Sequence, residues 1–174
     1  MANKASERCF IGGEHMSKDD LKRIKPKYPN QELNVILPLA VSVNHLYMFR
    51  RGKRFMTKKG LDYMQLAMKV VQEQVDKQKY ILEEEGVWLI CELRFYFPDL
   101  RRRDAHNMHK LIMDALEHVA FKDDRWVLVR DEFVGLDKNE PRVEIKIYPQ
   151  NYEEALKIVE RAKIQKESRM ASNK

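Results

Sequence analysis

Between residues 33 and 149 the apolar positions fall into two rhythms, alternation by two and recurrence at three and four. ELNVILPLAVSVN predicts a first strand over 33–38, followed by a turn that carries Ser42 and Asn44. From 60 to 80, Met64, Ala67, Met68, Val71 and Val75 recur on one helical face. GVWLICELRFYF then alternates, with Val87, Leu89, Cys91, Leu93, Phe95 and Phe97 on one side and Trp88, Glu92, Arg94 and Tyr96 on the other, until Pro98 ends the strand. Met108, Leu111, Ile112, Ala115, Leu116 and Val119 make a second helical stripe reaching about residue 120. A strand in RWVLVRDEFVG follows, and RVEIKIYP, with Val143, Ile145 and Ile147 inward, should pair with it as a hairpin. The order β-α-β-α-β-β predicts an α+β fold.

The flanks read differently. Residues 1–31 are polar and broken by Gly12, Gly13, Pro26 and Pro29, which predicts an extension ahead of a domain over 32–149. Residues 150–174 predict a further amphipathic helix through Ala155, Leu156, Ile158, Val159 and Ala162, then a polar tail. No window approaches the roughly 18 apolar residues of a membrane span, and the start has no apolar core of signal-peptide length, so neither a membrane nor secretion is expected. Cys9 and Cys91 lie far apart without metal-site spacing and read as reduced thiols of a cytoplasmic chain.

Charge adds a direction. The 33 Lys and Arg against 27 Asp and Glu leave a net +6, which favours a polyanionic partner only weakly. Its distribution says more: Arg50, Arg51, Lys53, Arg54, Lys58 and Lys59 form an acid-free run with Gly52 and two phenylalanines. Such a run is either a solvated loop or a loop that grips phosphates and touches bases.

PDLRRRDAHNMHK, residues 98–110, is the richest stretch. Asp104 either caps the helix behind it or stands as a metal-binding carboxylate beside Arg101, Arg102 and Arg103, which can hold phosphate. Residues two apart share a side only in extended chain, so Asp104 and His106 share an ion only if the chain is extended there. Asn107 and Lys110, three apart, lie together on the first helical turn. The spacing of His106 and His109 suggests zinc, but no Cys or further His follows at a supporting distance, and His109, His118 and His45 read as solvated. Asp123 and Asp124 are turn residues, or complete a site for a hard divalent cation with Asp104.

These pieces resemble the RusA family of Holliday junction resolvases over about residues 33–149. LPLAVSVNHLY is similar to the family's opening strand and Asn-containing turn, PDLRRRDAHNMHKLIMDAL to its arginine run, catalytic aspartate and Asp-Ala-Leu helix, and FKDDRWV to its Asp-Asp turn. The resemblance implies a mixed sheet with helices packed on it in a homodimeric, Mg2+-dependent endonuclease that cuts four-way DNA junctions in recombination and repair. Asp104 then matches the first catalytic aspartate, Lys110 the active-site lysine, Asn107 the asparagine between them, and Asp124, with Asp123 beside it, the metal-binding turn. His106 departs, since better-known members carry aspartate there. A neutral imidazole suits Mn2+ better than Mg2+, or serves as a base or an outer group.

A straight helix from 105 to 120 would be roughly 24 Å long and would hold Asp104 and Asp124 of one chain apart. Either the turn behind it folds back, or two subunits' antiparallel helices meet across a two-fold axis. The second suits paired cuts in a four-way junction and implies sites that mix residues of both subunits. The rivals are a junction-binding protein without cleavage, which His106 motivates, and a nuclease for other branched DNA or RNA.

Overall fold

A computed structural model of the chain describes residues 9–11, 14–16, 25–101, 103–153, 157 and 161. Two short ribbons are separate from the main sheet: β1 (Cys9–Ile11) pairs antiparallel with β2 (Glu14–Met16), and β4 (Tyr47–Arg50) with β5 (Lys53–Met56). The main sheet has the order β3 (Leu33–Pro38), β8 (Arg142–Pro149), β6 (Leu89–Phe97), β7 (Val127–Leu136), with only β6 and β7 parallel. Helices α1 (Val43–Leu46), α2 (Lys58–Gln78) and α3 (His106–Leu116) complete it. The mixed sheet and the β-α-β-α-β-β order of its main elements match the expected fold class.

One side of the sheet makes the core. Leu33, Val35, Leu37, Leu89, Cys91, Leu93, Phe95, Val143, Ile145 and Ile147 are buried on it, beneath Tyr63, Ala67 and Val71 of α2 and Leu111, Ile112, Ala115 and Leu116 of α3. The alternate positions, such as Asn34, Glu92, Arg94 and Glu144, face away, as a half-covered sheet requires. Burial pushes the free Cys91 thiol up to about 12, so it is a packing group, not a nucleophile.

Three expectations are corrected. β8 does not form a hairpin with β7; it lies between β3 and β6. Val143, Ile145 and Ile147 are almost fully buried there, as are Leu33, Val35 and Leu37 of the neighbouring edge strand β3. The connecting loop passes the end of β6, where Asp137 N–H donates to the Phe97 carbonyl at 2.8 Å and Arg142 holds Asp137 at 2.7 Å. Helix α2 turns the 63, 67, 71, 75 stripe inward, leaving Met68 on its exposed side. Helix α3 stops at Leu116, because Glu117 is extended and His118 takes a positive φ of 65°, a turn that delivers Ala120 and Phe121 into the core.

Tyr152, Glu153, Lys157 and Arg161 are helical, whereas the apolar positions expected to form that helix's face, 155, 156, 158, 159 and 162, lie outside the described residues. No helix among the described residues is long and apolar enough to cross a membrane.

Glu83 is the one charged side chain buried among the described residues. It accepts the backbone N–H groups of Lys27 and Tyr28 at 2.9 and 2.7 Å, and Gln31 bonds both to it and to Ile81, tying residues 27–31 to the link before β6. Replacing Glu83 by alanine strands two N–H donors and should cost about 2–4 kcal/mol, read as a lower urea midpoint at unchanged slope. An unaltered midpoint would mean that water satisfies those donors.

Candidate functional site

Pro98 stops β6, and the chain turns on Asp99. That carboxylate accepts from the Arg101 backbone and guanidinium and from Arg103, whose closest contact is 2.6 Å. Arg103 and then Arg101 hold the Asp99 carboxyl well below its usual range. Arg103 also lies over the Phe97 ring at 5.4 Å and is mostly covered, so it braces the turn, while the Arg101 side chain is 80% exposed. Arg102 lies outside the described residues.

Asp104 comes next, and its capping role is real. One oxygen accepts the His106 N–H at 3.0 Å and the other the Asn107 amide at 3.1 Å. Its carboxylate remains exposed at the mouth of a cleft of about 440 Å³ lined by Ser42, Asn44, His45, Arg103, Asp104, Asn107 and Met108. The Asn-containing turn after β3 is in fact α1, capped by Ser42, and it brings Asn44 to the far wall. A larger cleft of about 770 Å³, between the end of α2 and the β3 side of the sheet, contains none of the candidate residues.

Ala105 is helical at φ −60°, ψ −37°, so the chain is not extended between Asp104 and His106. The pair diverges as helical geometry demands. His106 turns its Nδ1 toward Asp131 of β7 at 3.8 Å, and His109, expected to be solvated, instead binds the same carboxylate at 2.7 Å and stacks on Phe95. On the neighbouring side of α3, Lys110 donates to Asp114 at 3.1 Å. That bond pushes the Lys110 amine above its ordinary range, and Tyr47 and Asp124 add smaller contributions. Lys110 is therefore a permanent cation facing the base of the β4–β5 ribbon.

Asp123 and Asp124 sit before β7. Asp123 caps a single 3-10 turn, Asp124–Trp126, and its carboxylate is held by the Arg125 backbone and side chain, which lowers its pKa. Asp124 makes no side-chain hydrogen bond among the described residues, and with Glu117 and Asp123 it forms a set of carboxylates converging within 4.8 Å. Oxygen-only donors of this kind suit a hard divalent cation such as Mg2+ or Mn2+. Glu117 carries no signal in the sequence, because the turn through His118 is what folds it back.

The two ends of the site are far apart. Trp126 packs edge-on against Trp88 at the start of β6, while Arg103, next to Asp104, packs on Phe97 at its end. Helix α3, which runs from the Asp104 end to the Asp124 end, is eleven residues long, about 17 Å at 1.5 Å each. Asp104 belongs to neither set of converging ligand atoms among the described residues. Asp104 and Asp124 thus flank α3 at its opposite ends.

The basic run, expected as a loop, is the ribbon β4–β5. Arg51 and Gly52 both take positive φ, 51° and 72°, the backbone of a type I′ turn. Register puts Met48, Phe55, Arg50 and Lys53 on one face and Tyr47, Phe49, Arg54 and Met56 on the other. Arg54 lies 3.5 Å over the Tyr47 ring, and Phe49 is 79% exposed. Lys58 and Lys59 open α2, whose first turn has no acid. Cations oppose the helix dipole there, so they add positive field to a helix end that already favours anions.

Comparison with curated proteins gives no match. The family model for endodeoxyribonuclease RusA matches residues 38–148, which takes in the basic ribbon, the Asp104 cleft, Lys110 and the Asp123–Asp124 turn. By that match over most of its length the chain belongs to the RusA endodeoxyribonuclease family, whose members are Holliday junction resolvases.

Proposed function

We propose that this nuclease resolves four-way DNA junctions by divalent-metal-dependent phosphodiester hydrolysis, working as a homodimer in recombination and repair. The observation that carries the reading is the Asp104 cleft: an exposed carboxylate framed by Asn44, Asn107 and the start of α3, with the cationic Lys110 less than two helical turns further along. A divalent cation supplies, when bound, a polarised phosphate and a water of lowered pKa. Asp104 and Asp124, with Asp123 beside it, are the carboxylates to hold it, and Mg2+ or Mn2+ fits their oxygen donors. Lys110 opposes the charge that develops on the phosphate and the leaving oxygen. Arg50, Arg51, Lys53, Arg54, Lys58 and Lys59 bind backbone phosphates without reading sequence, as do Arg101 and Arg102, whose turn Arg103 braces, while Asn107 orients Asp104.

The dimer follows from two features. Asp104 and Asp124 lie at opposite ends of one β-α-β unit, so a site using both draws on two chains. The edge strand β7 leaves Phe133, Val134 and Leu136 about half exposed, an apolar edge that calls for a cover. A two-fold axis through that edge and normal to the sheet pairs β7 with its copy antiparallel and lays the two α3 helices antiparallel. Each Asp104 end then stands beside the partner's Asp124 end.

The test is a synthetic four-way junction incubated with Mg2+, Mn2+ or chelator. Metal-dependent, symmetrically placed nicks are expected. A shifted but intact junction under every condition would instead assign the chain as a binder, the reading that the divergence of His106 from Asp104 favours.

A further inference from the structure

We propose that His106, His109 and Asp131 form a second cation site, one for a borderline transition ion of the Zn2+ type, which clamps the first turn of α3 to strand β7. Neither family membership nor the junction reading supplies it, and it stands whether or not the chain cuts DNA. His106 and His109 are three apart on α3 and so share a face, with ring centroids 4.9 Å apart. Asp131 reaches them because Val127, Val129 and Asp131 lie on the core side of β7, and a bulge follows: Leu93 pairs with Asp131 but Arg94 with Phe133. The bulge sends Phe133 to the opposite face, where it meets Tyr96. Asp131 thus ends the inward row under the start of α3.

The spacing fits an ion. Ligand atoms about 2.05 Å from zinc stand roughly 3.3 Å apart in a tetrahedron. One Asp131 oxygen is 2.7 Å from His109 Nε2 and the other 3.8 Å from His106 Nδ1, and one ligand atom from each of the three residues lies within 4.8 Å of the other two, so side-chain rotations bring them to that spacing. A plain His–Asp hydrogen bond accounts for the first distance and leaves the second imidazole, aimed at the second oxygen, unexplained. His109 is already oriented by its stack on Phe95, which reduces the ordering that binding requires. The His106 side chain is 78% exposed, leaving a solvent-facing side for a fourth ligand. Two imidazoles and one carboxylate select Zn2+, Co2+ or Ni2+ over Mg2+, whereas the all-oxygen set at Glu117, Asp123 and Asp124 has the opposite preference.

The full-length chain, stripped with chelator and free of DNA, is titrated with Zn2+ by calorimetry and with Co2+ by visible absorption. A one-equivalent site is expected that His106→Ala, His109→Ala and Asp131→Asn each weaken at least tenfold and Asp124→Asn leaves unchanged. His106→Ala keeps the test valid if the other two variants fold poorly, since that side chain is exposed. Absence of Zn2+ binding, binding indifferent to His106→Ala, or binding lost with Asp124→Asn would each overturn the site. Junction cleavage in Mg2+ is scored separately, so failure of the nuclease reading leaves this result standing.

Discussion

Replacing Asp104 by asparagine is expected to slow junction cleavage by about a thousandfold, roughly 4 kcal/mol of barrier, while moving the melting temperature by no more than about 2 °C. The two effects separate because the carboxylate has two duties. As a cap it accepts the His106 N–H, and an asparagine oxygen accepts that bond equally well, Asn and Asp being among the best N-cap residues. As a cation ligand and a negative charge, asparagine is a poor substitute. Initial rates on a synthetic junction in Mg2+, gel-shift affinity in chelator and a thermal melt, taken on one preparation, resolve them. Cleavage within tenfold of wild type would reduce Asp104 to a helix cap.

The same double duty explains what the sequence made legible around this site. Alternation through Leu89, Cys91, Leu93, Phe95 and Phe97 reveals a strand, since one face of it must be buried wherever it lies. Asp104, Lys110 and Asp124 stood out as candidates because their neighbours form long motifs with fixed spacing. What periodicity does not encode is which strands become neighbours. The burial of Val143, Ile145 and Ile147 is compatible with a hairpin to β7 or with insertion between β3 and β6, and the contact of the loop after β7 with Phe97 decides it. The ribbon β4–β5 was hidden because its charges mask the pattern, although Arg51-Gly52 supplies a turn signal between short apolar pairs.

Partners that meet only through the fold were out of reach for the same reason. Asp131 lies 22 residues from His109 and Glu117 reaches Asp124 only through the turn at His118, so neither set has a local signature. His109 illustrates the consequence: read alone it is a solvated helix residue, yet Phe95 and Asp131 fix both its plane and its polar edge. Asn44 is similar, a turn residue in sequence that becomes a wall of the Asp104 cleft once α1 packs by α3.

Mixing two inactive proteins should restore cutting, and the restored product should be a nick. If each site joins Asp104 of one chain to Asp124 of the other, an Asp104→Asn chain paired with an Asp124→Asn chain concentrates both lesions in one site and leaves the second intact. Random reassortment makes about half the dimers mixed, so about a quarter of all sites work. A single working site cannot make the paired incisions that linearise a cruciform plasmid, so nicked circles accumulate instead. Were Asp104 and Asp124 of one chain to act together, every site in the mixed dimer would carry a lesion and the mixture would stay as inactive as its parents. The placement of the two acids at opposite ends of α3 argues for the first outcome. Co-refolding the two variants and resolving plasmid forms on a gel decides between them.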